Sequence, residues 1–162
     1  MPEVRGHGLR AGVRLPAQAE EEGRLRLYTS RWQNRALEKL YVVPVGISRG
    51  TPRFPVGYRY RRLPDLYPDG WMFGIEEDAR FNEAYRKKLD RIGVDRIAEG
   101  LTRISREEGG RPLALLCYQA SPSDCHRATF AAWWEERTGQ EVPELESCDR
   151  SRKGQDLQEP LF

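Results

Sequence analysis

The side chains best suited to chemistry are three consecutive residues, Cys125, His126 and Arg127. A thiol, an imidazole and a guanidinium can act as a nucleophile, a proton-transfer group and an anion clamp. A second thiol, Cys117, lies shortly before them in the chain. It can serve as a resolving partner for Cys125, or it can be buried as a small hydrophobic residue. We therefore take Cys125, His126 and Arg127 as candidate catalytic residues.

The sequence around these residues predicts a strand, a tight turn and a helix. Residues 113–117 form a fully apolar run of the kind that becomes a buried strand. Ser, Pro and Asp at 121–124 favour a bend, and apolar residues at helical spacing follow over 130–134 before Gly139 ends the helix. Residues 125–127 then lie in the first helical turn, where free backbone N–H groups favour anions and thiolates.

The same side chains have an alternative interpretation as metal ligands. Cys117, Cys125 and His126 are suitable ligand types, but protein metal sites usually contain tighter pairs such as C-x-x-C. Glycine-rich nucleotide loops of the G-x-G-x-x-G or G-K-[ST] type do not occur in the sequence. The sequence therefore predicts no metal and no cofactor.

Polar residues also follow two other predicted strands, over 25–30 and 41–48. Ligands of open parallel sheets bind outside the carboxyl ends of the strands. The residues predicted to line a ligand site there are Thr29, Ser30, Arg31, Ser48, Arg49, Cys117 and Gln119. Alternatively, Ser30 only caps a short helix over 35–40.

A third feature is the alternation of Tyr58, Arg59, Tyr60 and Arg61. Alternation in a strand places the two tyrosines on one face and the two arginines on the other. Aromatic rings with arginines are typical of surfaces that stack bases and contact phosphates, which predicts nucleic-acid binding by these four residues. The same pattern also suits an ordinary edge strand that must stay soluble.

Length and composition favour one domain. The chain has 162 residues, of which 38% are hydrophobic and 32% are charged. Its formal net charge of +2 is too small to predict binding to nucleic acid or to membranes. Helices predicted over 76–92 and 95–106 alternate with the strands, which also include a strand predicted over 58–63 and a short closing strand predicted over 140–145. We expect a single compact α/β domain, a mostly parallel sheet flanked by helices, over residues 25–145. A flexible leader over 1–24 and a disordered tail over 146–162 complete the predicted organisation.

Three cysteines form no closed disulfide framework, and no apolar stretch is long enough to span a bilayer or resembles a signal peptide. These observations predict a reduced cytoplasmic protein without a membrane partner. The oligomeric state is not predicted by the sequence.

Several of these segments together resemble one known family. The segments are 27–30, 46–48 and above all Leu-Leu-Cys-Tyr at 115–118 followed by Cys-His-Arg at 125–127. They resemble the domain of unknown function 488 family over about residues 25–145. The resemblance implies a compact α/β domain without an assigned activity. Members often carry Glu where this chain has Gln119, so the resemblance does not imply a carboxylate mechanism at that position.

The last five residues, at 158–162, resemble the bacterial sliding-clamp-binding peptide. Such a peptide is extended, places its Leu-Phe pair in a hydrophobic pocket and hydrogen-bonds through its Gln. Here those residues are Gln158, Leu161 and Phe162. The resemblance implies the DNA polymerase sliding clamp as a partner.

The sequence leaves three functional hypotheses. The first is a thiol-dependent enzyme of DNA repair or nucleic-acid modification, recruited by its tail. The second is a non-catalytic module that binds a nucleotide or single-stranded nucleic acid. The third is a redox-responsive adaptor that uses Cys117 and Cys125.

Overall fold

Four parallel strands form the sheet of this protein. The computed structural model describes residues 24–118 and 125–147. Within these residues the strands are β1 (Leu27–Arg31), β2 (Val43–Gly46), β3 (Arg61–Arg62) and β4 (Leu113–Cys117). Their order is β1-β4-β2-β3, and each neighbouring pair is parallel. The predicted α/β class with a parallel sheet is confirmed.

Three α-helices and three short 3-10 helices complete the described residues. The α-helices are α1 (Asp78–Ile92), α2 (Val94–Glu107) and α3 (His126–Thr138), and the 3-10 helices are Arg35–Glu38, Pro64–Leu66 and Gly70–Gly74. Gly93 ends α1 with a φ of 96°, and Gly139 ends α3 with a φ of 80°, as the sequence predicts. In this part of the chain no helix is both long and apolar enough to cross a bilayer. The predicted leader and tail lie almost wholly outside the described residues.

The central strand β4 explains the apolar run in the sequence. Leu113 and Leu115 pack in the core formed with α1, α2 and α3, whereas Ala114 and Leu116 pack with Tyr28 and other residues on the opposite face. All residues of β4 are at most 1% exposed. A strand covered on both faces needs apolar side chains at every position. The site residue at its end, Cys117, is therefore anchored in the best-packed part of the fold.

Pro44 lies within β2, a strand with neighbours on both sides, although a proline predicts an edge or a bulge. The N–H groups of Val43 and Ile47 donate to the carbonyls of Pro112, just before β4, and of Leu116, so the nitrogen of Pro44 faces the other side. There β3 pairs only with Val45 and Gly46. At Pro44 the sheet is therefore locally an edge, and the missing donor leaves no ladder hydrogen bond unmade.

Gly46 is required by close packing of Trp32 at the end of β2. A Cβ atom at Gly46 would lie 2.6 Å from Trp32 Cζ2. Trp32 is 1% exposed and its indole N–H donates to Ser48, so the ring cannot move aside freely. We expect Gly46→Ala to lower the free energy of urea unfolding by about 1–3 kcal/mol. Gly74→Ala is the control, because nothing lies within 4 Å of its Cβ position. Equal effects of both substitutions would contradict the packing argument.

Two segments predicted as strands are shorter in the structure. The strand predicted over 58–63 is reduced to β3. The closing strand predicted over 140–145 makes one isolated parallel bridge, from Thr29 to Glu144. Thr29 N–H donates to Pro143 and Leu145 N–H donates to Thr29, while Pro143 itself has no N–H to extend the ladder. This short contact brings Glu144 to the outer side of β1.

Candidate functional site

Cys117 and Cys125 meet at the carboxyl edge of the sheet. Cys117 is the last residue of β4, and Cys125 is the N-cap residue of α3. Their Sγ atoms are in contact, and their Cα atoms lie 6.9 Å apart. Cys117 is 1% exposed and Cys125 is 9% exposed, so solvent reaches the pair from the Cys125 side. Gln119 and the predicted turn residues 121–124 lie outside the described residues.

His126 is held in one orientation beside the two sulfurs. Its Nε2 lies 2.7 Å from the carbonyl oxygen of Ile47. A carbonyl only accepts, so Nε2 carries the proton and Nδ1 of the neutral ring keeps its lone pair. Nδ1 lies 3.9 Å from the Sγ of Cys125, and the edge-to-face ring of Tyr85 packs 5.1 Å away. The neutral imidazole can therefore accept a hydrogen bond, or bind a cation, on the side that faces the thiols.

Burial, with smaller contributions from the positive charges of Arg127 and Lys88, lowers the pKa of His126 to about 4. The unfolded chain has a His pKa of 6.5, so it binds a proton that the folded chain rejects as the pH falls. Stability contributed by neutral His126 is present above pH 6.5 and is lost as the pH falls from there towards about 4. We expect a loss of roughly 2 kcal/mol between about pH 7.5 and about pH 5 in metal-free buffer, measured by urea unfolding.

His126→Gln retains an N–H donor for Ile47 and removes the titrating ring. In this variant the pH-dependent loss of stability over that interval should largely disappear. His7→Gln, outside the described residues, is the matched control and should retain it. A wild-type slope that survives in His126→Gln would show that another group is responsible.

Arg127 is fully buried and forms an ion pair with Glu144. Its Nε and Nη2 donate to the Glu144 carboxylate at 3.0 and 2.9 Å, and Nη1 donates to the Sγ of Cys117 at 3.3 Å. Thr29 also donates to Glu144, at 2.6 Å. The guanidinium is 0% exposed. It therefore joins α3, the end of β4 and the segment beside β1.

The other residues predicted to line the site have partners within the fold. Ser30 accepts from Asn34, and it is Asn34 rather than Ser30 that caps the short helix by accepting from Ala36 N–H. Ser48 accepts from Trp32 and donates to the Gly50 carbonyl. The guanidinium of Arg31 reaches Ser147, and that of Arg49 reaches the Pro68 carbonyl, each at 3.5 Å. Ser30, Arg31, Ser48 and Arg49 thus lie at the carboxyl edge with the two cysteines.

The aromatic and arginine residues of 58–61 divide into two groups. Tyr58 donates to the Trp32 carbonyl at 2.6 Å, and the ring of Tyr60 packs edge-on against Trp32 at 4.8 Å. Arg61 donates to Glu107 and Glu108 on and after α2, at 2.6 and 2.9 Å. Arg59 is exposed. The tyrosines and Arg61 therefore make intramolecular contacts, whereas Arg59 faces solvent.

The ligand atoms of Cys117, Cys125 and His126 all lie within 4.8 Å of one another. Among the described residues this is the group of Cys, His, Asp and Glu side chains close enough to hold a metal ion. The sequence favoured no metal here because the two cysteines are eight residues apart rather than a C-x-x-C pair.

Sequence reasoning missed two residues of this site. Glu144, the partner of Arg127, lies 17 residues further along the chain and belongs to a segment predicted only as a closing strand. In the sequence Glu144 is an acid between two apolar residues, Val142 and Leu145, and both of these are buried in the structure. This pattern was the one sequence signal that Glu144 has a polar partner. Ile47 contributes through its backbone carbonyl, which no side-chain pattern can reveal.

The structure places Cys117 at a strand end and Cys-His-Arg at a helix start, over residues that also match a known family. The model of the family described as "Domain of unknown function DUF488" matches residues 43–134. The chain belongs to the DUF488 family. The match includes β2, β3, α1, α2, β4 and the first two turns of α3, so all three members of the Cys-His cluster lie inside it. No curated protein and no solved structure matches the chain.

Proposed function

We propose that this DUF488 protein is a redox-responsive protein of nucleic-acid or nucleotide metabolism. The juxtaposition of the sulfurs of Cys117 and Cys125 beside His126 is the observation that carries the proposal. In the cytoplasm, the compartment we propose, thiols are kept reduced, and the disulfides that do form there are mostly transient ones used for catalysis or sensing. A pair at the carboxyl edge of a parallel sheet is in the position where ligands bind.

The oxidant that we propose is of the peroxide class. Cys125 is the more exposed thiol, and the neutral His126 Nδ1 beside it can accept a hydrogen bond from its S–H group. Its thiolate attacks the peroxide, the O–O bond breaks, and a sulfenic acid forms with loss of water. The sulfur of Cys117 then attacks that of Cys125 and releases a second water. Two thiols are oxidised to a disulfide, and one hydrogen peroxide is reduced to two waters.

A chain of ring contacts connects the disulfide to the basic segment over 49–61. Tyr118 directly follows Cys117 and its ring lies 6.1 Å from that of Trp32. Trp32 contacts Tyr60, which precedes Arg61 and follows the exposed Arg59. A change in the backbone at Cys117 can therefore be transmitted to residues 58–61, which we propose contact an anionic partner.

The test compares reduced and oxidised full-length protein in binding a fluorescent single-stranded oligonucleotide. We expect the two affinities to differ by at least about 5-fold, the usual lower range for coupled sites, and to weaken with salt. The double variant Cys117→Ser/Cys125→Ser should bind with one affinity under both conditions. Equal affinities of reduced and oxidised wild type, or an unaltered redox effect in the double variant, would refute the proposal.

A second candidate is a thiol-dependent enzyme in which Cys125 alone attacks a nucleic-acid or nucleotide substrate. The 3.9 Å approach of His126 Nδ1 to the Cys125 sulfur favours it, because a nucleophile needs an adjacent base. Under this hypothesis Cys125→Ser abolishes activity and Cys117→Ser preserves it. Under the redox hypothesis the two substitutions have the same effect.

The link to DNA comes from the tail, which lies outside the described residues. We propose that Gln158, Leu161 and Phe162 bind the DNA polymerase sliding clamp. Binding of the full chain to a bacterial clamp should be micromolar, about −8 kcal/mol, and should be lost in Leu161→Ala/Phe162→Ala. Without binding by the intact chain, replicated DNA would no longer be the proposed place of action.

A further inference from the structure

We propose that the reduced protein binds a thiophilic divalent cation of the Zn²⁺ class through Cys117, Cys125 and His126. This inference rests on the proposed function, because it needs the two cysteines to be reducible. The three side chains are buried, and their ligand atoms lie within 4.8 Å of one another. Two thiolates and one imidazole are among the commonest ligands of Zn²⁺ in proteins.

The distances suit a tetrahedral site once the disulfide is reduced. With Zn–S near 2.3 Å and Zn–N near 2.0 Å, tetrahedral ligands lie about 3.8 Å apart for two sulfurs and about 3.5 Å apart for sulfur and nitrogen. The observed distance from His126 Nδ1 to Cys125 Sγ is 3.9 Å. The Cα atoms of the cysteines are 6.9 Å apart, just beyond the usual disulfide range, so the sulfurs can separate without movement of the backbone.

The orientation of His126 is that of a metal-binding histidine. Such residues usually donate their second ring N–H to a carbonyl or carboxylate, which fixes the tautomer and points the other nitrogen at the metal. Here Nε2 donates to the Ile47 carbonyl at 2.7 Å, and Nδ1 faces the sulfurs. Its neutral form, favoured by burial, is also the form that binds cations.

The charges in the site balance when a divalent cation is present. One Zn²⁺ with two thiolates and a neutral imidazole has no net charge, and Arg127 is neutralised by Glu144 at 2.9 Å. Without the cation, two buried thiolates would share one guanidinium that already has a carboxylate partner, which burial opposes. Arg127 also donates to Cys117 Sγ, as outer residues commonly do to metal ligands.

The fourth coordination position is left to water or a small anion, since the group contains three protein ligands among the described residues. Binding of Zn²⁺ and the Cys117–Cys125 disulfide exclude each other, because both use the same sulfur electron pairs. Oxidation of the two metal-bound thiolates by hydrogen peroxide forms the disulfide, consumes two protons, yields two waters and releases Zn²⁺. The cation would thus occupy the reduced state of the redox pair.

The experiment uses the reduced full chain with Zn²⁺ and Co²⁺ as probes. We expect one Zn²⁺ per chain by competition with a chromophoric chelator, and a Co²⁺ complex with the intense visible bands of a tetrahedral site and a thiolate charge-transfer band. Cys125→Ser and His126→Ala should each weaken Zn²⁺ binding by at least about 100-fold, the upper limit for loss of a residue that only supports a ligand. Cys148→Ser, which removes the third cysteine, is the matched control and should bind like wild type. The oxidised wild type should bind no Zn²⁺.

A reduced wild-type protein that is folded by circular dichroism and binds neither ion would overturn the metal site, as would full Zn²⁺ affinity in Cys125→Ser. Wild type is tested without substitution, so a variant that fails to fold does not affect that result. Counting thiols before and after peroxide treatment in zinc-free buffer tests the proposed function separately. A loss of two thiols without Zn²⁺ binding refutes only the metal site, whereas Zn²⁺ binding without disulfide formation refutes the redox function.

Discussion

Arg127→Met should lower the free energy of urea unfolding by about 3 kcal/mol. The side chain of Arg127 is 0% exposed and that of Glu144 is 31% exposed. The substitution keeps a long apolar side chain but leaves Thr29 as the one remaining donor to the Glu144 carboxylate among the described residues, and Cys117 loses the N–H that faces its sulfur. Removing one partner lowers the free energy of unfolding by more than the ion pair contributes to it, because the other partner stays partly buried and charged.

Two further variants test the cause of this loss. Arg59→Met changes an exposed arginine in the same way and should alter stability by less than about 0.5 kcal/mol. The double variant Arg127→Met/Glu144→Leu removes both charges and should recover a large part of the lost stability. If the double variant were as unstable as the sum of its single substitutions, the loss would come from packing rather than from an unpaired carboxylate.

Phe130→Ala should have the larger effect, about 3–5 kcal/mol. The ring of Phe130 is 0% exposed, stacks on Trp134 at 5.6 Å and contacts Trp133 at 6.0 Å. Its removal leaves a cavity between α3 and the sheet that these large rings cannot fill without leaving their own positions. Because α3 begins at His126, next to Cys125, this packing also holds the site residues against β4.

Phe73→Ala is the matched control, since the Phe73 ring is 59% exposed. It should cost less than about 1 kcal/mol. Unfolding of both variants is measured in the same reducing buffer by circular dichroism. A similar loss for Phe73 and Phe130 would mean that α3 does not depend on its buried aromatic face.

The secondary structure around the site was predictable because its signals are local. The fully apolar run of β4 and the helical spacing of Phe130, Trp133 and Trp134 are readable within a few residues. Gly93 and Gly139 are local signals as well, because glycine readily adopts the positive φ that each of them has at a helix end. The strand order β1-β4-β2-β3 was not predictable, because it is set by packing between segments distant in the chain.

The partners of the charged residues were not predictable either. The sequence presents Arg61 as one of an alternating pair of arginines, but the fold places it beside Glu107 and Glu108 near the end of α2. Arg127 likewise appeared as an anion clamp, and the anion that the fold supplies is Glu144. Long, flexible ionic side chains pair with residues that the tertiary structure brings close. The spacing of charged residues in the sequence does not show which of them come together.

The two cysteines combine a feature that the sequence predicted with one that it did not. A strand followed by a short turn and a helix predicts that Cys117 and Cys125 lie near each other, and the structure brings their sulfurs into contact. The sequence favoured no metal because the two residues are not a C-x-x-C pair. The orientation of His126 depends on the Ile47 carbonyl from β2's end, a contact between residues 79 positions apart. It is this contact that turns two thiols and an imidazole into a candidate ligand set.

The most direct test of the account is to map the thiols after mild peroxide oxidation of the full chain. Remaining thiols are alkylated, the protein is digested without reduction, and peptides are identified by mass spectrometry. We predict one peptide pair that links Cys117 to Cys125, with Cys148 alkylated and the link abolished in Cys117→Ser. A folded protein in which Cys117 and Cys125 are both alkylated, or in which Cys125 is linked to Cys148, would contradict the assignment of this pair as the redox centre.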